Sequence, residues 1–215
     1  MRHRTINTVR CAQGSTKSRS LARFGASPRL IARKVGAATA TFLSKAAENF
    51  EAVWRGKRRR SPSRYSDGSY RVLYTATKPE VAKAERFYRL IEWFKTSGMS
   101  YASDFFVYSC TARGKCINLT KNWKKNKKLV HPKKYDYCRS LGEQARKSGV
   151  DYLVVPSARK LGGCCVPIFK RTSAAVTAGS ASFDVHWDRG ARKCYTVNAK
   201  GKRQYTTIDR VFSLV

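Results

Sequence analysis

Between residues 70 and 98 the pattern of apolar and polar positions changes period once. Residues 70–76, YRVLYTA, nearly alternate and are rich in aromatic and β-branched side chains, which predicts a strand. Lys78-Pro79 then marks a helix start, because proline fits the first turn, where its missing N–H costs nothing. From Pro79 to Lys95 the apolar residues Val81, Ala84, Phe87, Tyr88, Leu90, Ile91 and Phe94 fall on one wide side. Gly98 is the predicted stop. Glu85, one turn after Val81, stands at the edge of the apolar side. On an isolated helix it would pair with Arg89 at i+4 for about 0.3 kcal/mol.

Further along, residues 104–109 and 115–119 read as strands around an Ala-Arg-Gly turn. Residues 120–134 read as a lysine-rich loop holding Trp123 and His131-Pro132. Residues 135–148 predict a helix ended by Gly149, and residues 151–155 a buried strand ended by Pro156-Ser157. Gly162-Gly163 is a turn before a strand over residues 164–169. The tail offers strands at 182–187, 193–197 and 205–208. Upstream, residues 26–52 carry a helical pattern through Leu30, Ile31, Val35, Phe42, Leu43 and Phe50, and Trp54-Arg55 opens a first strand. The division expected is a basic extension over 1–50 with one amphipathic helix, then a domain over 51–215.

Charge changes this picture more than length does. The 215 residues hold 45 Lys and Arg against 13 Asp and Glu, a formal charge of +32, and no acid precedes Glu48. Such a field attracts anions: nucleic acid, acidic lipid or phosphorylated small molecules. The basic, serine-rich start followed by an amphipathic segment has the character of an organelle transit peptide, and equally of an arm that docks on nucleic acid or membrane. It lacks the compact apolar core of a secretory signal. No run of eighteen apolar residues is present, so no membrane-spanning helix is expected. The seven cysteines form no C-x-x-C pair, which argues against zinc, and reduced thiols are the plain reading. Asp184, His186 and Asp188 share a strand face, but with no second histidine or cysteine nearby the trio reads as structural. No Walker A, G-x-G-x-x-G or H-E-x-x-H pattern occurs.

Two blocks carry a resemblance. The run SRYSDGSYRVLYTATKPEVAKAE resembles the RES domain, with Arg64-Tyr65, Leu73-Tyr74 and Glu85 in the places of that family's R-Y, L-Y and A-x-x-E elements. GVDYLVVPSARKLGGCCVPIF resembles its second block and supplies Ser157. The resemblance spans about residues 53–170, with serine where the family has glycine before the Arg-Tyr pair.

What the resemblance implies is an α+β, ADP-ribosyltransferase-like core of mixed and antiparallel strands with flanking helices. It implies a toxin that degrades NAD⁺ and is held by a cognate antitoxin, or by an immunity protein if the chain is a secreted effector. The catalytic candidates are Glu85, Arg64, Tyr74 and Ser157; the substrate-binding candidates are Arg55, Tyr65 and Arg159. NAD⁺ enters as substrate, with no cofactor or metal, and the expected site of action is the cytoplasm. The residue types suit that chemistry. Breaking the nicotinamide–ribose bond develops oxocarbenium character, which a carboxylate stabilises. The leaving group departs neutral, so a general acid is not required. Arginines grip a pyrophosphate, and a tyrosine stacks on or hydrogen-bonds the ribose. The acceptor stays open between water, phosphate and a macromolecule (an ADP-ribosyltransferase). A basic nucleic-acid-binding protein without catalysis remains the alternative of a different class.

Overall fold

The computed structural model describes residues 33–44, 62–121, 124, 126–170, 173–198 and 200–208. Among the described residues, eight strands and two helices follow in the order β1 (Arg33–Ser44), β2 (Leu73–Ala76), α1 (Pro79–Ser97), β3 (Tyr101–Asn118), a 3-10 turn (Lys127–Val130), α2 (Asp136–Lys147), β4 (Tyr152–Pro156), β5 (Cys164–Ile168), β6 (Ala174–Asp188), β7 (Lys193–Val197) and β8 (Arg203–Tyr205). The class is α+β, with a mixed sheet. Its order is β1-β2-β5-β4-β3-β6-β7-β8, and β1 also pairs with β3. That extra pairing closes β1, β2, β5, β4 and β3 into a ring, and β6, β7 and β8 extend from β3 as a wing. Only β3 and β4 run parallel, as they must when α2 carries the chain back between them.

Each strand of the ring sends a residue inward: Ala40, Leu73, Tyr108, Tyr152 and Val166 meet in one buried cluster. Outside the ring, Leu153, Val155 and Cys165 pack beneath Cys138, Leu141 and Ala145 of α2. The neighbours Tyr152 and Leu153 therefore face two different cores, which is why this stretch reads as an unbroken apolar run. The third cluster lies under the wing, where Phe87, Leu90 and Phe94 of α1 meet Phe105, Val185, Trp187 and Cys194. Each such aromatic or leucine burial contributes about 1.5–3 kcal/mol. Helix α1 thus spans two cores, with Val81 and Ala82 in one and Phe87 onward in the other. Glu85 falls at the seam between them.

Helix α1 has the predicted ends, with Pro79 in its first turn and Gly98 as a left-handed C-cap at φ 71°. Two expectations are corrected. The helix expected within residues 26–52 is instead strand β1 over Arg33–Ser44, held by an antiparallel ladder to β3 from Arg33↔Cys116 to Ser44↔Phe106. A boundary at residue 50 therefore cuts off a strand of the sheet. The two strands expected around Ala112-Arg113-Gly114 are one continuous strand, because β1 pairs with β3 through that point, while on the other side β6 pairs as far as Ala112 and β4 takes over from Cys116. Gly114 sits against the Asp151 carboxylate, which accepts the Lys115 N–H at 2.6 Å, so it marks a close approach rather than a turn. Strand β6 is also longer than expected, starting at Ala174. The first strand expected at Trp54-Arg55 lies outside the described residues. Among the described residues no helix is long and apolar enough to cross a membrane, and all six described cysteines are free thiols.

Helix α2 packs its Gly142 directly on the carbonyl of Tyr65. The Tyr70 hydroxyl donates to the same carbonyl at 2.6 Å and lies 3.0 Å from where a Cβ on residue 142 would stand. Gly142→Ala is therefore expected to push α2 off the 63–66 turn. The cost is about 2 kcal/mol, read as a fall of roughly 6 °C in Tm by thermal melting.

Candidate active site

Residues 157–163 follow β4 and form a tight loop, closed by Ser157 N–H to Gly163 O at 2.8 Å and Gly163 N–H to Lys160 O at 3.0 Å. Gly163 has no room for a side chain, since a Cβ would meet Val81 Cγ2 at 2.6 Å. This packing presses the loop onto α1 one turn before Glu85. The Ser157 hydroxyl accepts the Arg159 and Lys160 N–H groups, both at 3.1 Å. With its lone pairs so occupied, it aims its proton at Glu85 and donates to Oε1 at 2.7 Å. The Ala158 N–H donates to the same oxygen at 3.1 Å and the Cys165 thiol approaches it at 3.5 Å. Among the described residues these hydrogen bonds converge on Oε1 and not on Oε2. Ser157→Ala is expected to leave the Glu85 carboxylate loosely aimed and two N–H groups short of an acceptor. It should cost about 1–2 kcal/mol in denaturant unfolding, with roughly tenfold lower activity.

Arg64 is buried and lies in the turn closed by Ser63 N–H to Ser66 O at 2.7 Å. Its Nη1 donates to His131 O at 2.8 Å, and its guanidinium stands 4.6 Å from the centre of the Tyr135 ring. Burial by itself would disfavour the Arg64 charge, and the charge of the neighbouring Glu85 carboxylate works against that, so the guanidinium stays a cation. Burial pushes the Tyr74 hydroxyl and the Cys165 thiol well above their ordinary pKa values, and the nearby Glu85 charge pushes both the same way. Both groups are therefore neutral near pH 7 and act as hydrogen-bond donors rather than bases. Tyr65 is fully buried and stacks behind Tyr74, with ring centres 6.2 Å apart.

Arg159 is buried as well. Its guanidinium lies 3.3 Å over the Tyr88 ring and donates to Pro132 O at 2.7 Å and to the Tyr135 hydroxyl at 3.4 Å. The structure thus brings Arg64, Tyr74, Glu85 and Ser157 into one neighbourhood, Ser157 by its hydrogen bond to Glu85 and Arg64 and Tyr74 by electrostatic coupling to it. Tyr65 is buried behind Tyr74, and Arg159 is tied to the 131–135 segment. Arg55 lies outside the described residues. The i+4 pairing with Arg89 is not what fixes Glu85, since its carboxylate is held from the β4 and β5 side. Sequence reasoning missed Tyr135, which both arginines touch, and Cys165, which the alternation of β5 turns toward α1. Tyr135 sits at the end of a lysine-rich run that reads as plain loop, and only the proline turn before it hints at a fixed position. No group of three His, Cys, Asp or Glu residues suited to a metal ion occurs among the described residues.

This arrangement can hold one carboxylate oxygen rigidly and keep a buried cation close by. The RES domain family matches the chain over residues 40–188. The chain belongs to the RES domain family. The match ends at Asp188, so β7 and β8 lie beyond it. Within the RES domain, the arginine, glutamate and serine sit on the 63–66 turn, the middle of α1 and the end of β4. A distant structural relative is a chain in the crystal structure of the M. tuberculosis MbcT-MbcA toxin-antitoxin complex. It has 13% sequence identity and a TM-score of 0.46, and the alignment covers 73% of this chain and 87% of that one. No curated protein sequence matches the chain.

Proposed function

We propose that this RES domain protein consumes NAD⁺ by cleaving its nicotinamide–ribose bond, and that it acts as the toxin of a toxin–antitoxin pair. The observation that carries the reading is the Glu85 carboxylate, pinned through Oε1 by Ser157 and Ala158 beside the buried Arg64. As the C–N bond breaks, its electron pair goes to the pyridinium nitrogen and nicotinamide leaves neutral. The ribose is left as an oxocarbenium ion. Oε2 of Glu85 accepts from the ribose hydroxyls and its charge faces the developing cation. Because Glu85 is already held from one side, little reorganisation is needed at that moment. Arg64 keeps N–H donors beyond the one given to His131, and these suit the pyrophosphate. Tyr74, neutral, donates to or stacks on the nicotinamide ribose.

The acceptor is water or phosphate, whose oxygen attacks the ribose carbon and gives up a proton to solvent. Following NAD⁺, nicotinamide and the ribosyl product by chromatography, with and without phosphate, tests the reading. A phosphate-independent ADP-ribose product marks a glycohydrolase, and ADP-ribose phosphate formed only with phosphate marks a phosphorylase. Label transferred to protein or nucleic acid would instead mark an ADP-ribosyltransferase. Family membership also supports a cognate antitoxin that holds the toxin inactive.

A further inference from the structure

The wing carries an aromatic row that the active site does not use. Its register places Tyr101 of β3 opposite His186 of β6, His186 opposite Tyr195 of β7, and Tyr195 opposite Tyr205 of β8. Four rings therefore line up across four adjacent strands, about 14 Å at the usual strand spacing. Tyr101 and His186 have ring centres 5.1 Å apart, His186 and Tyr195 5.0 Å, and Tyr195 and Tyr205 5.5 Å. The alternate residues Val185, Trp187 and Cys194 point to the other face and are buried on α1. The row thus belongs to the outer face, and its end members Tyr101 and Tyr205 are each 44% exposed.

The end rings are held upright. The Tyr101 hydroxyl donates to Asp184 at 3.0 Å and the Tyr205 hydroxyl to Asp188 at 2.7 Å. Asp184 and Asp188 therefore stand beside the row, Asp188 also 3.6 Å from Arg203, and the segment that follows is uniformly basic. From Arg189 to Ile208 the chain holds Arg189, Arg192, Lys193, Lys200, Lys202 and Arg203, with no acid. All six are exposed, and the Arg203 guanidinium stands 4.8 Å from the Tyr195 ring centre.

We propose that this outer face of β3, β6, β7 and β8 binds single-stranded nucleic acid. Unpaired bases continue the stack at Tyr101 and Tyr205, and the phosphates meet the 189–203 cations. Ordered exposed rings interleaved with cations are the physical basis of sequence-tolerant single-strand binding. A duplex keeps its base faces stacked inside and gains only the charge. A second copy of so basic a chain would be repelled. The inference is independent of the NAD⁺ reading, because none of these residues touches Glu85, Ser157 or Arg64.

The test is fluorescence anisotropy with a labelled 12-nucleotide single strand and the corresponding duplex, titrated across salt. Wild-type protein is expected to bind the single strand at least tenfold more tightly than the duplex near physiological salt. The double variant Tyr101→Ala/Tyr205→Ala should lose at least tenfold on the single strand, with an unchanged slope of log affinity against log salt and unchanged duplex binding. Tyr101→Phe/Tyr205→Phe, which keeps the rings, should bind like wild type. Should the alanine pair fail to fold, Tyr101→Leu/Tyr205→Leu keeps the bulk without the π-face and takes its place. Equal affinity for single strand and duplex, or full single-strand affinity in the ring-less variants, would overturn the proposal. So would binding of anionic vesicles that depends on both rings while the oligonucleotide does not.

Discussion

Glu85→Gln is expected to lower nicotinamide release by about 10³-fold while Tm stays within a few degrees of wild type. The substitution is nearly isosteric. Its amide oxygen can still accept the Ser157 hydroxyl and the Ala158 N–H that hold Oε1, at 2.7 and 3.1 Å in the native protein. What disappears is the negative charge that, in the proposed reaction, faces the oxocarbenium ion. Removing one preorganised electrostatic partner of a transition state costs about 10²–10³ in rate, equivalent to roughly 3–4 kcal/mol. The loss should fall on kcat more than on KM, because the cationic sugar exists only in the transition state. Steady-state assays beside thermal melts separate this from misfolding. A variant that is well folded and retains more than a tenth of wild-type turnover would remove Glu85 from its assigned role.

Arg64→Ala should damage both stability and activity. It deletes the hydrogen bond to the His131 carbonyl and the stack on Tyr135, and it leaves a void at a position only 3% exposed. Lost hydrogen bonding from a charged group and the cavity together cost about 2–4 kcal/mol. It also takes a buried cation from the neighbourhood of Glu85 and Tyr74, with at least 10²-fold expected off kcat/KM. Arg64→Lys separates the two effects. A lysine restores charge but not the planar fork. Much of the stability should return in denaturant titrations, while kcat/KM stays low.

The central helix was legible because its signals are local. Pro79 and Gly98 punctuate both ends and the apolar period between them is long. The partnership of Glu85 with Ser157 was expected from resemblance, not from spacing, since 72 residues separate them. What places them together is the fit of Gly163 against Val81, a contact with no local signature. Strand β1 was misread because its alanines and spaced apolar residues suit a helix, whereas the ladder to β3 decides its form. Sheet pairing of this kind routinely overrides propensity. The break expected in β3 came from Ala112-Arg113-Gly114, a sequence that reads as a turn when its flanking strands are unknown. Tyr135 and the His131 and Pro132 carbonyls were invisible for the same reason. Their importance comes from two arginines 95 positions apart in the chain, Arg64 and Arg159, reaching one segment.

The most direct measurement is nicotinamide released from NAD⁺ by the purified 215-residue chain, freed of any bound partner and supplied with phosphate. The account predicts one nicotinamide for each NAD⁺ lost, formed catalytically over many turnovers. NAD⁺ left intact by folded protein, with phosphate and candidate macromolecular acceptors both present, would contradict it.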